Sequence, residues 1–468
     1  MSKFQAPKGM RDFAPKDVLR REYLFNIIST TFKKHGFMPL ETPTMENLET
    51  LTGKYGEEGD RLIFKVLNSG DYLKKFRSKP EAEVKEVLHA EGSKKLTPLI
   101  SEKGLRYDLT VPFARYVSQN HGQIALPFKR YQIQPVWRAE RPQKGRYREF
   151  TQCDGDIIGD TSLLCENELL QIYEDVFKQL KLHDTKLIVN NRKLLAAMAE
   201  MIGANDRLTD LTIAIDKLDK IGREKVEEEL KEKGLSTEQI AKLSPIFELS
   251  TQMGANTKID NQKTLASIEK ILGQTEMGTK GVSEMRELLE IAHASELETL
   301  HFDPLLARGL DYYTGTIVEV KATEGKIGSL GGGGRYDNLT DIFGVKDLSG
   351  VGVSFGADRI LLLLEERNLF PENLESYCQA LIIHFGENSQ AQHLKLAKNL
   401  REAGISTELY PSASKMKKQM KYADQKAVQF VILQGEEEIK NEQITVKNMQ
   451  TGDQKTLKVE EFIQSLRA

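Results

Sequence analysis

Trp137-Arg-Ala-Glu-Arg-Pro-Gln-Lys-Gly-Arg-Tyr-Arg-Glu-Phe150 is a charged loop set between two β-rich runs, at about 129–138 and 148–157. That order predicts a long antiparallel hairpin with a basic tip. Read alone, the tip is either a solvated turn or an anion site. Arg138 favours the second, because a guanidinium at a strand end presents a planar fork that can hold phosphate or carboxylate through paired bonds. The second run continues as Gln152-Cys-Asp-Gly-Asp156, in which Gln152, Asp154 and Asp156 alternate with Cys153 and Gly155. Alternation puts the three polar side chains on one face of a strand. A face that polar either meets water or lines a polar pocket, and the arginines and tyrosines elsewhere in the chain favour the pocket.

Three further segments share this chemistry. Arg308-Gly-Leu-Asp-Tyr-Tyr-Thr-Gly315 and Gly331-Gly-Gly-Gly-Arg-Tyr-Asp337 put an arginine, two tyrosines and a glycine-dense turn within about one hairpin of each other. Glycines let a backbone approach a ligand closely, although a lone glycine run is also what a flexible loop contains. Gly350-Val-Gly-Val-Ser-Phe-Gly-Ala-Asp-Arg359 reads as a strand leading into a helix. Earlier in the chain, Arg106-Tyr-Asp-Leu-Thr-Val-Pro112 reads as a strand end and turn. If Asp108 and Thr110 stand on a strand they face the same way, and both can accept hydrogen bonds from one ammonium group.

Around these segments the chain is ordered as several units. Its 468 residues exceed one core, so two or three domains are expected. Residues 15–35 have helical apolar spacing through Leu24, Phe25, Ile28 and Phe32, end at Gly36, and lead into an extended stretch that stops at Pro43. Residues 70–98 are rich in Lys and Glu and read as an exposed segment inserted between two strands. Residues 160–180 and 190–298 read as mainly helical. Gly234 is expected to stop one helix, and Ser236-Thr-Glu-Gln239 to start the next as a capping box. Strands are expected again over Tyr312–Val320 and Val351–Phe355. After Pro371, strands and helices alternate, as in a separate α/β domain of roughly 90 residues with a parallel sheet.

Composition excludes more than it selects. No apolar run approaches the roughly 18 residues of a membrane span, and the start lacks the apolar stretch of a secretory signal. Cys153, Cys165 and Cys378 are too few and too scattered for a disulfide framework or a zinc knuckle, so a cytoplasmic protein is expected. The net charge of −3 neither favours nor excludes nucleic acid, so an RNA argument has to be local. One basic stretch with an aromatic, Lys415-Met-Lys-Lys-Gln-Met-Lys-Tyr422, suits phosphate contact and base stacking, or is simply a solvated helix face.

In this order the motifs resemble those of class II aminoacyl-tRNA synthetases, and the runs at 308–315 and 331–337 closely resemble the signatures of histidyl-tRNA synthetases. The resemblance extends from about residue 5 to the C-terminus. It implies an α+β protein. An antiparallel-sheet catalytic domain would cover 1–370, with a mainly helical insertion at about 190–298. A C-terminal α/β anticodon-binding domain would cover 378–468. By the same resemblance the helix and strand ending at Pro43 form a homodimer interface. Asp108, Thr110 and Gln152 hold the amino group of histidine, and Asp156, Tyr312 and Tyr313 surround its imidazole. Arg138 binds the α-phosphate of ATP, Arg146 and Arg359 bind the outer phosphates, and Phe150 packs on adenine. Arg308 is implied as the catalytic residue at the α-phosphate. The implied activity is that of an ATP-dependent, AMP- and pyrophosphate-forming histidine–tRNA ligase. Its ligands would be L-histidine, ATP, Mg2+ and tRNA(His), with no membrane partner. Two other readings share the fold: a histidine-sensing regulatory paralogue without catalysis, and a class II synthetase for another amino acid. Retention of Arg138, Arg308, Arg359 and the C-terminal domain speaks against the first, and the 308–315 run against the second.

Overall fold

A computed structural model of the chain describes residues 4–90, 92–252, 260–307, 312–325, 327–371, 374 and 377–466. The fold divides into two units, one of residues up to 12 with 24–369, the other of residues 13–23 with 370 onward. In the first unit the strands are β1 (Met38–Pro39), β2 (Met45–Asn47), β3 (Lys65–Val66), β4 (Lys103–Leu105), β5 (Phe128–Trp137), β6 (Glu149–Ile158), β7 (Thr185–Asn191), β8 (Leu300–Phe302), β9 (Thr316–Ala322), β10 (Gly331–Tyr336) and β11 (Gly350–Gly356). Eight of them form one sheet in the order β1-β5-β6-β11-β10-β9-β7-β8. Its interior pairings are antiparallel, and only the edge pairs β1–β5 and β7–β8 run parallel. Strands β2, β4 and β3 make a small separate sheet. This is the α+β architecture expected.

The hairpin that organises the sheet is β5–β6, in register from Phe128 opposite Ile158 to Trp137 opposite Glu149. Alternation gives β6 two different faces. Asp154 and Asp156 project to one side, and Gly155 leaves a seat on the other. A Cβ built on Gly155 would lie 2.1 Å from the Phe32 ring. Phe32 belongs to the helix Pro15–Lys34, whose residues Leu24, Ile28 and Phe32 are fully buried. Its ring stacks on Tyr131 with centroids 5.6 Å apart. That helix therefore covers the back of the sheet and leaves the polar face of β6 for the site. Gly36, at φ +76°, turns the chain from the helix into β1.

Several details differ from the reading of the sequence. The glycine-dense run is not a turn but the strand β10, hydrogen-bonded between β9 and β11. Glycine disfavours strands for lack of a side chain to pack, but here packing allows no side chain. A Cβ on Gly333 would lie 2.1 Å from the Gly352 carbonyl oxygen, and one on Gly331 would lie 2.8 Å from the Tyr173 ring. Asp108 and Thr110 do not share a strand: β4 ends at Leu105, and Thr110 opens the helix Thr110–Asn120. Asp108 accepts the Val111 N–H at 3.1 Å, in the manner of a helix cap, and Pro112 is tolerated because first-turn N–H groups have no helical acceptor. Strand β9 begins at Thr316, so Tyr312 and Tyr313 lie in the bend before it.

The inserted segment at 70–98 carries the short helices Lys74–Arg77, Glu81–His89 and part of Thr97–Ile100, and none of its described residues is buried. Helices from Arg192–Met201 to Glu276–Ala294 make up the helical block. Its capping box forms: the Gln239 carboxamide accepts the Ser236 N–H at 2.9 Å, and Ser236 Oγ accepts the Gln239 N–H at 3.2 Å.

The second unit contains β12 (Ala380–Ile382), β13 (Thr407–Leu409), β14 (Phe430–Leu433), β15 (Gln443–Asn448) and β16 (Gln454–Lys458), ordered β13-β12-β14-β15-β16. The first three are parallel, as alternation of strand and helix implies. Strand β15 pairs antiparallel with β14 after a connection that holds the helix Glu436–Lys440, and β16 returns antiparallel on β15 through a short turn, so the sheet is mixed and not wholly parallel. Residues 13–23 join this unit through Tyr23, whose ring stands edge-on to Phe370 at 6.1 Å, and Arg20, stacked on Phe370 at 4.7 Å.

Candidate active site

The polar face of β6 forms the floor of two connected spaces. The outer one is a cleft of about 550 Å3 whose walls include Arg138, Arg146, Phe150, Gly332 and Arg359. The inner one is a chamber of about 50 Å3 enclosed by Asp108, Thr110, Asp154, Asp156, Tyr312, Tyr313 and Tyr336. Arg138, Gln152, Gly332 and Ser354 belong to both walls, so the spaces meet at Arg138 and Gln152. Of the residues expected at the site, the structure brings all but one to these walls. Arg308 lies outside the described residues.

The outer cleft is a cationic groove. Arg138 donates from Nε to the Tyr107 carbonyl at 3.1 Å and lies over the Tyr107 and Phe150 rings at 4.4 and 5.1 Å. Its guanidinium is thus aimed while other N–H groups remain for a ligand. Arg359, on the first turn of the helix Ala357–Glu366, donates to the Ser329 carbonyl at 2.8 Å. Arg146, at the hairpin tip, pairs with Glu140. Burial pushes the Glu140 carboxyl up, but Arg146, Arg138 and Arg359 outweigh it and hold that carboxyl below its ordinary value. Gly145, at φ +73°, makes the turn that returns the tip over the cleft.

The inner chamber is lined with carboxylates and phenols. Asp108 accepts the Tyr55 hydroxyl through Oδ1 at 2.8 Å, while its Oδ2 is buried without a protein partner. Burial raises the Asp108 carboxyl, against the bonds from Tyr55 and Val111 and the charges of Arg138 and Arg130. Gln152 Nε2 donates to Ser354 Oγ at 3.3 Å, and its Oε1 is likewise unpartnered. Tyr312 and Tyr313 meet edge to face at 5.0 Å. Burial, then the charges of Asp156, Asp154 and Asp108, raise the Tyr313 phenol, so it stays a neutral donor. A Cβ on Gly352 would lie 2.0 Å from Asp156 Oδ1, so glycine is what gives that carboxylate room.

Asp156 is the most constrained group of the chamber. Arg130 Nη2 lies 2.6 Å from its Oδ2, and the Tyr336 hydroxyl donates to its Oδ1 at 2.7 Å. Reading the sequence does not single out Arg130 as a site residue, although it lies directly opposite Asp156 in the β5–β6 register. The signal lies in the alternation of Arg130, Gln132 and Gln134, which continues the polar face across the hairpin. Tyr336 belongs to the 331–337 run, where the sequence alone assigns it no role. Its neighbour Arg335 looks like chemistry and is architecture. It is nearly buried and forks onto Glu166 at 2.6 Å through two N–H groups, while its Nη1 donates to Ser349 Oγ at 2.6 Å. Ser349 and Thr314 in turn donate to Asp337, both at 2.5 Å, which braces the bend carrying Tyr312 and Tyr313.

A family model described as Histidyl-tRNA synthetase matches residues 85–360, and one described as Anticodon binding domain matches 379–468. A histidine–tRNA ligase of Christiangramia forsetii is 53% identical over 454 residues, 96% of each chain. That of Porphyromonas gingivalis is 50% identical over 458 residues, 98% of this chain and 97% of the other. Among solved structures, histidyl-tRNA synthetase from Nostoc sp. PCC 7120 superposes with a TM-score of 0.82 at 25% identity, covering 100% of this chain and 99% of that one. A Bacillus halodurans protein described as an ATP phosphoribosyltransferase regulatory subunit/histidyl-tRNA synthetase shares the fold, with a TM-score of 0.70 at 22% identity over 92% of this chain and 98% of that one.

Proposed function

The chain belongs to the histidyl-tRNA synthetase family, and from that premise we propose how the residues of its two chambers divide the work. The activity is that of a histidine–tRNA ligase: histidine is activated with ATP to histidyl-adenylate, and the histidyl group passes to the 3′ end of tRNA. The observation that carries the assignment of roles is the junction of a small polar chamber and a cationic cleft at Arg138 and Gln152.

Histidine occupies the inner chamber. Its ammonium is held by the unpartnered oxygens of Asp108 and Gln152 together with Thr110. The imidazole lies between the tyrosine pair and the cluster of Asp156, Arg130 and Tyr336, and the carboxylate points to the junction. ATP lies in the outer cleft with adenine on Phe150, its α-phosphate on Arg138 and its outer phosphates on Arg146 and Arg359. The histidine carboxylate attacks the α-phosphorus, forming the carboxyl–phosphate bond as the bond to the bridging oxygen breaks and pyrophosphate leaves. A terminal ribose hydroxyl of the tRNA then attacks the activated carbonyl and AMP departs. Activation of this kind depends on alignment and on neutralising charge as it develops, which arginines supply without titrating. Arg308, from the segment next to the tyrosine pair, is assigned the charge on the α-phosphate.

Mg2+ carried on the phosphates fits the same cleft. The carboxylates there are Glu140 and Asp358, each facing an arginine, and magnesium characteristically keeps water and phosphate oxygens with one or two carboxylates. It would contribute neutralisation of phosphate charge. We place the reaction in the cytoplasm, a reading supported by how few and how scattered the cysteines are, at Cys153, Cys165 and Cys378. No helix of the described residues is long and apolar enough to cross a membrane. The test is pyrophosphate exchange, expected with L-histidine and with no other amino acid. A protein that bound histidine without exchange would be a regulatory paralogue.

A further inference from the structure

Residues 7–12, which precede the helix Pro15–Lys34, lie against the hairpin tip and have no part in the roles assigned above. The Gly9 carbonyl accepts the Arg148 N–H at 2.8 Å, and the Lys8 carbonyl accepts from Arg148 Nη1 at 3.4 Å. Gly9 stands at φ +85°, and a Cβ there would lie 2.8 Å from both Pro142 and Arg148, so this close approach requires glycine. Two residues on, the Arg11 guanidinium lies over the Tyr147 ring, 3.2 Å from its centroid, and its Nη2 meets Asp358 Oδ1 at 2.6 Å. Tyr147 belongs to the hairpin tip and Asp358 to the first turn of the helix Ala357–Glu366, and both stand in the wall of the outer cleft. Each adjoins an arginine assigned to the outer phosphates: Arg146 precedes Tyr147, and Arg359 follows Asp358. We propose that Arg11 is a positioning residue for the nucleotide, which grips Tyr147 and Asp358 together and so fixes Arg146 and Arg359 at the spacing the outer phosphates require.

The chemistry of the contact suits this role. A second tie between the tip and that helix, Lys144 to Glu366 at 2.6 Å, is exposed on both sides, and exposed ion pairs hold little. Asp358 is only 8% exposed, and Arg11 uses the face of its guanidinium on the ring and the edge on the carboxylate at once. Charge adds a second effect. A carboxylate in a cleft that receives phosphates repels them, and the Arg11 cation beside Asp358 offsets that repulsion without entering the cleft wall itself. Reactions that depend on alignment lose rate when a holding group shifts by a fraction of a contact distance, so a brace behind the phosphate arginines acts on the nucleotide without touching it.

The inference rests on the proposed placement of ATP in the outer cleft. Its test compares wild type with Arg11→Ala, Arg11→Lys and Tyr147→Leu, by equilibrium binding of AMP and of α,β-methylene-ATP and by pyrophosphate exchange. Arg11 is 28% exposed, so its replacement is expected to leave the melting transition near that of wild type. Arg11→Ala should weaken binding of the methylene analogue about 10-fold, the order of one desolvated cation–π contact. AMP affinity and KM for histidine should be unchanged, because neither ligand reaches the outer-phosphate arginines. Arg11→Lys should recover only part of the loss, since an ammonium can pair with Asp358 but has no plane to stack. Tyr147→Leu should act on the same contact, so the double variant with Arg11→Ala should fall well short of the sum of the two. Unchanged binding of the methylene analogue by a normally folded Arg11→Ala protein would overturn the proposal. Equal losses for the analogue, AMP and histidine would make Arg11 a residue of the fold and overturn it as well. Binding that changes as expected, in a protein whose wild type shows no histidine-dependent exchange, would refute the ligase reading and uphold the role of Arg11.

Discussion

At the scale of single residues, the two aspartates of β6 show how neighbours decide what a carboxylate does. Asp156 is a charge already matched, since it and Arg130 are both buried and lie 2.6 Å apart. Removing one partner of such a pair leaves the other uncompensated, at about 3–5 kcal/mol. Asp156→Asn should therefore lower the midpoint of urea unfolding at an unchanged m-value, by an amount equivalent to that cost. Asp154 gives a pH signature of opposite sense. Its carboxyl is raised to about 7 by burial and by Asp156, with Arg130 opposing and Asp108 adding to the rise, against roughly 3.9 when unfolded. The folded state thus binds the proton more tightly, so this group favours folding below about pH 4, and that contribution is lost as pH rises through 7. Thermal melts of Asp154→Asn and wild type should diverge in the variant's favour between pH 5 and pH 8. A constant difference across that range would show that Asp154 does not titrate there.

At the scale of elements, the site exists because two strands are poor in side chains. Gly331–Tyr336 and Gly350–Gly356 pair with each other at a spacing no Cβ would permit at Gly333. Their bareness leaves room for Asp156 and Tyr313, whereas Gly155 does the same on the far side for Phe32. Gly155→Ala would place a methyl 2.1 Å from the Phe32 ring. Overpacking of this kind costs about 1–3 kcal/mol. Phe32→Leu in the same chain should recover part of the loss, giving a coupling energy in a double-mutant cycle. Strictly additive effects would mean that the helix Pro15–Lys34 does not pack as described. The same bareness explains why the glycine run reads as a turn: local propensity reports on an isolated strand, and this one is specified by what lies on either side of it.

At the scale of the whole molecule, assembly and tRNA binding depend on surfaces that each unit presents. Strand β1 is the edge of the large sheet, and its Met38 is 62% exposed. An open edge with exposed apolar groups suits a two-fold interface, consistent with the homodimer proposed from the segment ending at Pro43. Light scattering should give twice the chain mass independent of concentration in the working range. In the second unit, the helix Met416–Gln425 exposes Lys417, Lys418 and Lys421. Tyr422 is less available for stacking on a base, because its hydroxyl donates to Glu408 at 2.6 Å and its ring stands edge-on to Tyr410. The lysines are then expected to contribute charge. Changing all three to Gln should weaken tRNA binding and leave pyrophosphate exchange untouched. The slope of log affinity against log salt should become shallower by about 0.7–0.9 for each phosphate no longer neutralised.

The sequence by itself determined the elements with strong local codes. The hairpin around Arg138, the helix ending at Gly36, the capping box at Ser236 and the alternating C-terminal unit each depend on neighbours a few residues away. The polar face of Gln152, Asp154 and Asp156 was also legible, because strand alternation is a local rule. Only the tertiary structure decided which way that face points, that Arg130 neutralises Asp156, that Arg335 serves Glu166 and not a ligand, and that Asp108 and Thr110 meet at a helix start. Each of these depends on sheet order and register, which bring together residues far apart in sequence. The grip of Arg11 on Tyr147 and Asp358 belongs to the same class, since those three residues meet only in the folded chain.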